Sequence, residues 1–128
     1  MSKKSHIRDQ DNIEQRIHDL TDRLLHDMDL GWLRLTNSFD QSAEGRTICE
    51  TICDFEYRQA TLRWSLVQAA TLTDAELELT AIHELSHCLT ACVWESLSSK
   101  QKDKLFKLNE LATENVARCI SHLLQRNQ

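Results

Sequence analysis

His83-Glu84-Leu85-Ser86-His87 constrains this chain more than any other stretch. Four residues is just over one turn of α-helix, so on a helix both imidazoles project from one face. Placed like that, they can hold one zinc ion. Glu84 then lies beside the ion, where its carboxylate can take a proton from water. A zinc site that does chemistry needs three protein ligands and an open position, so the fold must bring a further donor to this helix.

The surrounding pattern supports a helix here. Thr73-Asp74-Ala75-Glu76 is a capping box that marks its start. Leu79, Ile82, Ser86, Leu89 and Val93 form the expected buried stripe, running to about Glu95. After a break at residues 96–100, a last helix is expected with Leu105, Leu108, Ala112, Val116, Cys119 and Leu123 inward. Upstream, Ile13, Ile17, Leu20, Leu24 and Met28 step by three and four, which predicts a helix over residues 11–28. Asp11 would cap it, Gly31 would follow its end, and residues 1–10 would be a flexible lead.

Between these helices the composition turns β-like. Residues 32–36 read as a short strand, and residues 38–45 as a polar loop. From Thr47 to Leu66, β-branched, aromatic and small residues predict a hairpin with its turn at residues 54–58. Ala60, Leu62, Trp64 and Leu66 alternate with polar residues, as in a half-buried strand. The predicted class is α+β in a single domain over residues 1–128: an N-terminal helix, a sheet of about three strands, the histidine helix and a C-terminal helix.

A net charge of −5 gives no basis for affinity to nucleic acid or anionic membrane. The first ten residues lack the apolar core of a signal peptide, and no apolar run reaches the ~20 residues that span a bilayer. Five cysteines with no export signal suggest reduced thiols in a cytoplasmic protein, used as small buried side chains. His6, His18 and His26 are expected on the surface, and Trp32, Trp64 and Trp94 in the core or on a groove wall.

For the third ligand, the metzincin spacing would need glycine and histidine where Thr90 and Val93 stand, so it is excluded. Glu110 and Glu114 on the last helix are the candidates, while Glu95 lies two turns beyond His87 and too far along the same helix. A sheet, an H-E-x-x-H helix and a glutamate-bearing helix resemble the gluzincin-like zinc peptidases, above all the minimal zincins of bacteria and phages. Residues 57–65, the approach Leu79-Thr-Ala-Ile-His-Glu-Leu-Ser-His87, and Glu114 followed by Asn-Val-Ala carry the resemblance, which spans Trp32 to the C-terminus. It implies a zinc metallopeptidase with His83, His87 and Glu114 as ligands and Glu84 as general base. It also implies a peptide or protein substrate pairing with an edge strand around Ala60 and Leu66. Tyr57, Arg118 and His122 are candidate donors for the developing oxyanion. The alternative is a zincin-fold binding module that recognises a protein partner without cutting it.

Overall fold

The computed structural model describes residues 3–40 and 47–126, with side chains described from residue 12. The chain is α+β, in the order α1 (Lys3–Asp27), β1 (Arg34–Asp40), β2 (Cys49–Asp54), β3 (Gln59–Ser65), α2 (Leu66–Ala69), α3 (Asp74–Glu95) and α4 (Ser99–Arg126). No helix among the described residues is long and apolar enough to cross a membrane.

The apolar spacing of α1 buries Ile13, Ile17 and Leu24 as expected. Its ends differ from expectation. The helix begins at Lys3, so Asp11 lies inside it and the lead expected over residues 1–10 is helical from there on; residues 1 and 2 lie outside the described residues. Its C-terminal stop is made by Asp29, at φ 57° in the left-handed region, with Leu30 N–H donating to Leu25 O at 2.8 Å. Gly31 follows at a φ that is not positive, so the chain reversal does not depend on it.

β1 runs to Asp40, past the expected end at residue 36, because its whole length pairs with β3, from Arg34↔Gln59 to Asp40↔Ser65. The rest of the expected loop, including Gly45, lies outside the described residues. The hairpin is present: β2 pairs antiparallel with β3 from Cys49↔Trp64 to Asp54↔Gln59. Its turn lacks Asn-Gly, and Arg58 supplies the left-handed residue instead, at φ 54°, with its N–H donating to Phe55 O at 3.1 Å.

The sheet order is β1-β3-β2, with β1 parallel to β3. β3 is therefore the central strand, and the expected edge strand around Ala60 and Leu66 is a correction: both of its edges are already hydrogen-bonded. β2, paired only with β3 among the described residues, is the edge that lies against α3. Leu66, expected as the last residue of that strand, opens the short α2 instead, capped by Ser65.

Ala60, Leu62 and Trp64 project from one face of β3 into a core shared with α1, α2 and α3. The indole of Trp64 is fully buried, and its N–H donates to Asn37 Oδ1 at 3.0 Å. The Asn37 amide donates in turn to Thr21 Oγ1 at 2.9 Å, and Thr21 donates to Ile17 O at 2.9 Å. This chain ties β3, β1 and α1 together and satisfies the buried donor.

Both long C-terminal helices present different faces from those their apolar spacing predicted. On α3 the buried residues are Leu77, Ala81, Ile82, Leu85, Ser86, Cys88 and Ala91, while Leu79, Leu89 and Val93 are exposed. The helix packs against the sheet, α4 and α1, so its buried surface is wider than one stripe and is rotated from it. On α4 only Thr113 and Ala117 are buried, with Ile120 and Leu124 partly packed on the core. Leu108, Cys119 and Leu123 are exposed.

Asn37→Ala strands the buried Trp64 donor and breaks the link to Thr21. It should lower stability by about 1–3 kcal/mol in urea unfolding. An unchanged midpoint would show that the chain of bonds adds nothing to stability.

Candidate metal centre

Reciprocal bonds start α3: Thr73 N–H donates to Glu76 Oε1 at 3.0 Å, and Glu76 N–H to Thr73 Oγ1 at 3.2 Å. A second such box starts α4, between Ser98 and Gln101, with bonds of 2.9 and 3.2 Å. His83 and His87 leave one face of α3, their ring centroids 5.1 Å apart and their planes at 83°. His83 meets Glu114 and His87 meets Glu110, so the two helices run antiparallel across the site.

Each imidazole is oriented through Nδ1. His83 Nδ1 lies 2.7 Å from Glu114 Oε2, and a carboxylate there can only accept. His87 Nδ1 lies 3.4 Å from Thr113 Oγ1. The Thr113 hydroxyl donates to Asn109 O at 2.8 Å, so its oxygen is left to accept from the ring. A proton on each Nδ1 would satisfy both of these contacts. Both Nε2 atoms face Glu110, whose two oxygens lie 3.5 Å from His83 Nε2 and 3.3 Å from His87 Nε2. Glu114 also accepts from Arg118 Nε at 3.1 Å.

Glu84 points to the sheet side of the same face. One donor atom each from His83, Glu84 and His87 can lie within 4.8 Å of one another, a spacing that fits a single ion. The Thr51 hydroxyl, on β2, lies within hydrogen-bond reach of both the Glu84 carboxylate and its backbone oxygen. Burial pushes the Glu84 carboxyl above the usual carboxylate range, and the Thr51 bond partly opposes this. Burial also holds His87 below the ordinary imidazole value, against the charge of Glu110. The Arg118 hydrogen bond, helped by His83, holds Glu114 low. Burial thus disfavours charge on both the His87 ring and the Glu84 carboxyl, while the Arg118 bond favours the ionised form of Glu114.

A trough of about 590 Å³ opens beside this group. Thr51, Glu84, His87 and Glu110 line one end, and Trp94, Glu95, Lys102 and Phe106 line the rest, with Cys49 and Cys53 of β2 along one side. The sequence-predicted residues His83, Glu84, His87, Glu110 and Glu114 therefore converge. The three candidate oxyanion donors do not line the trough: Tyr57 is 66% exposed in the β2–β3 turn, Arg118 pairs with Glu114, and His122 is exposed. Glu95 lies at the far end, accepting from Phe55 N–H at 3.3 Å.

Two contributors escaped the sequence reading. Thr113 carried a usable signal, since it shares helical spacing with Ala117, Ile120 and Leu124 and so puts a polar residue on the packed face. Thr51 had none beyond alternating with Cys49 and Cys53 along a strand. Of the thiols expected to be buried, Cys49 and Cys88 are, whereas Cys92 and Cys119 are exposed, because each sits on the solvent side of its helix. Trp64 is core and Trp94 a trough wall, while Trp32 packs edge-on against Phe55 at 6.4 Å.

The raised Glu84 pKa means that the folded, metal-free protein holds this proton more tightly than the unfolded chain does. Its contribution favours folding below the unfolded carboxylate value, ~4.3, and is lost as pH rises through the raised folded value. Urea unfolding of metal-free protein across this window should show that slope in wild type and lose it in Glu84→Gln; equal slopes would contradict the assignment. No protein-family model, curated protein or solved structure matches this chain.

Proposed function

We propose that this protein is a zinc-dependent hydrolase of peptide bonds, with His83, His87 and Glu110 as metal ligands and Glu84 as general base. The observation that carries this is the convergence of both Nε2 atoms on the Glu110 carboxylate while the Nδ1 atoms meet Glu114 and Thr113. Two imidazole nitrogens and a carboxylate oxygen form a common catalytic zinc set. The resemblance favours Glu114 as the third ligand, but Glu114 touches the Nδ1 side of His83. It suits the outer role of holding that ring's tautomer and orientation, as Thr113 does for His87.

Bound zinc supplies Lewis acidity, lowering the pKa of water to about 7 and polarising a carbonyl. With the ion held by these residues, Glu84 would take a proton from water and return it to the leaving amine. Its burial favours holding the proton, and Thr51 keeps the carboxylate aimed from the sheet side. An extended substrate would lie along the edge of β2 that is unpaired among the described residues and borders the trough. All five cysteines are free thiols, which suits a reducing compartment, and the cytoplasm is the location we favour.

Metal analysis should find one zinc per chain in wild type and none in His83→Ala or Glu110→Ala. Glu114→Ala should weaken zinc binding by roughly 10–100-fold while still loading at high zinc. If Glu110→Ala keeps its zinc and Glu114→Ala cannot load, the ligand role belongs to Glu114. A wild type that takes up no zinc and gains no thermal stability from it overturns the metal site altogether.

With zinc retained, Glu84→Gln should reduce cleavage of unstructured peptides by about 100-fold or more. Unchanged cleavage would remove Glu84 as the base. A wild type that loads zinc but cuts no peptide would leave the binding-module alternative.

A further inference from the structure

We propose that Cys53 and Cys88 form a thiol pair that a peroxide oxidises to a disulfide, and that this bond clamps the edge strand β2 to α3. The pair is separate from the hydrolase reading, because neither sulfur serves there as ligand or base.

Two hydrogen bonds fix how β2 lies along α3. The Thr51 hydroxyl donates to Glu84 O at 2.9 Å, and the Phe55 N–H, just past the end of the strand, donates to Glu95 at 3.3 Å. Strand and helix therefore run in the same direction here. From the Thr51–Glu84 contact, two residues of strand and four of helix each advance about 6–7 Å and return to the same face. Those steps lead to Cys53 and Cys88. Their sulfurs meet, with the Cys88 S–H donating to Cys53. The other thiols do not compete for this contact. Cys49 lies four residues back along β2, about 13 Å away, and Cys92 is on the exposed side of α3.

The two sulfurs differ in access. Cys88 is buried at 1% exposure, whereas Cys53 is half-buried and lines the trough, where a small peroxide arrives from solvent. Burial pushes the Cys53 thiol up, and the hydrogen bond from Cys88 opposes this. Cys53 is therefore the sulfur that reacts first. As thiolate it attacks one oxygen of hydrogen peroxide and the O–O bond breaks. Cys53 becomes a sulfenic acid, and the released hydroxide takes the thiol proton as water. Cys88 then attacks the Cys53 sulfur. The S–S bond forms, the S–O bond breaks, and the hydroxyl leaves as water with the Cys88 proton. Both thiols are oxidised, and one peroxide is reduced to two waters. The new bond closes a loop through β3, α2 and the first half of α3, which restricts the unfolded chain.

The test treats the reduced full chain with hydrogen peroxide, alkylates the remaining thiols and maps linked peptides by mass spectrometry. Wild type should yield the Cys53–Cys88 linkage, reversed by dithiothreitol, with neither sulfur joined to Cys49, Cys92 or Cys119. Its thermal transition should rise on oxidation by on the order of 5–10 °C and return on reduction. Cys53→Ala should remove both the linkage and the rise. Cys88→Ala should leave Cys53 as a sulfenic acid that dimedone traps, and Cys88→Ser serves where the alanine variant does not fold. A wild type whose two thiols both stay open to alkylation after peroxide overturns the pair. So does one in which Cys53 joins another cysteine or becomes a sulfinic acid without linkage. A Cys53–Cys88 linkage that lowers the thermal transition overturns the clamp, because the fold would then have to yield to make it.

Discussion

The contact between the histidine face of α3 and the carboxylate face of α4 decides how the C-terminal half of the chain is arranged. Glu114 lies 2.7 Å from His83 Nδ1, and Glu110 spans the two Nε2 atoms at 3.5 and 3.3 Å. Together these contacts set the direction, register and rotation of α4. Apolar spacing alone would turn Leu108, Cys119 and Leu123 inward, yet all three are exposed. The half-buried imidazoles meet their polar partners on the Glu110–Thr113–Glu114 face of α4. Exposing a few leucines is the smaller cost, because apolar atoms already make up much of any protein surface.

The sheet serves the same site from the other side. The hairpin register pairs Thr51 with Leu62, which fixes the face from which Thr51 projects. From there its hydroxyl reaches Glu84. Because β1 occupies the far edge of β3, β2 is left as the strand bordering the trough, and the acid carboxyl is desolvated between strand and helix. Position and protonation therefore share one origin. The packing that brings Glu84 beside the histidines is also what raises its pKa, and the packing that buries His87 is what keeps its ring neutral.

Much of this was legible in the residues. The spacing of His83 and His87, the Thr73–Glu76 capping box and the alternation through Ala60, Leu62 and Trp64 are local patterns, and local hydrogen bonding or periodicity suffices to interpret them. Glu110 and Glu114 could be named as candidates because they are one turn apart on a helix that follows the histidine helix. Their separate roles could not be assigned. Both lie on one face, and only the docking of α4 brings one carboxylate to Nδ1 and the other to the Nε2 pair.

By itself, then, the sequence determined the α+β class, the helix that carries the histidines and the identity of the residues that gather there, since each follows from interactions between neighbours in the chain. Tertiary structure alone decided which strand borders the site, which helix faces turn inward, and that Thr51 and Thr113 join the histidine group. These depend on pairings between distant segments: β1 with β3, β2 with α3, and α3 with α4. Such pairings are chosen by satisfying buried polar atoms and filling the core at the same time, a condition on the folded whole that no local pattern encodes.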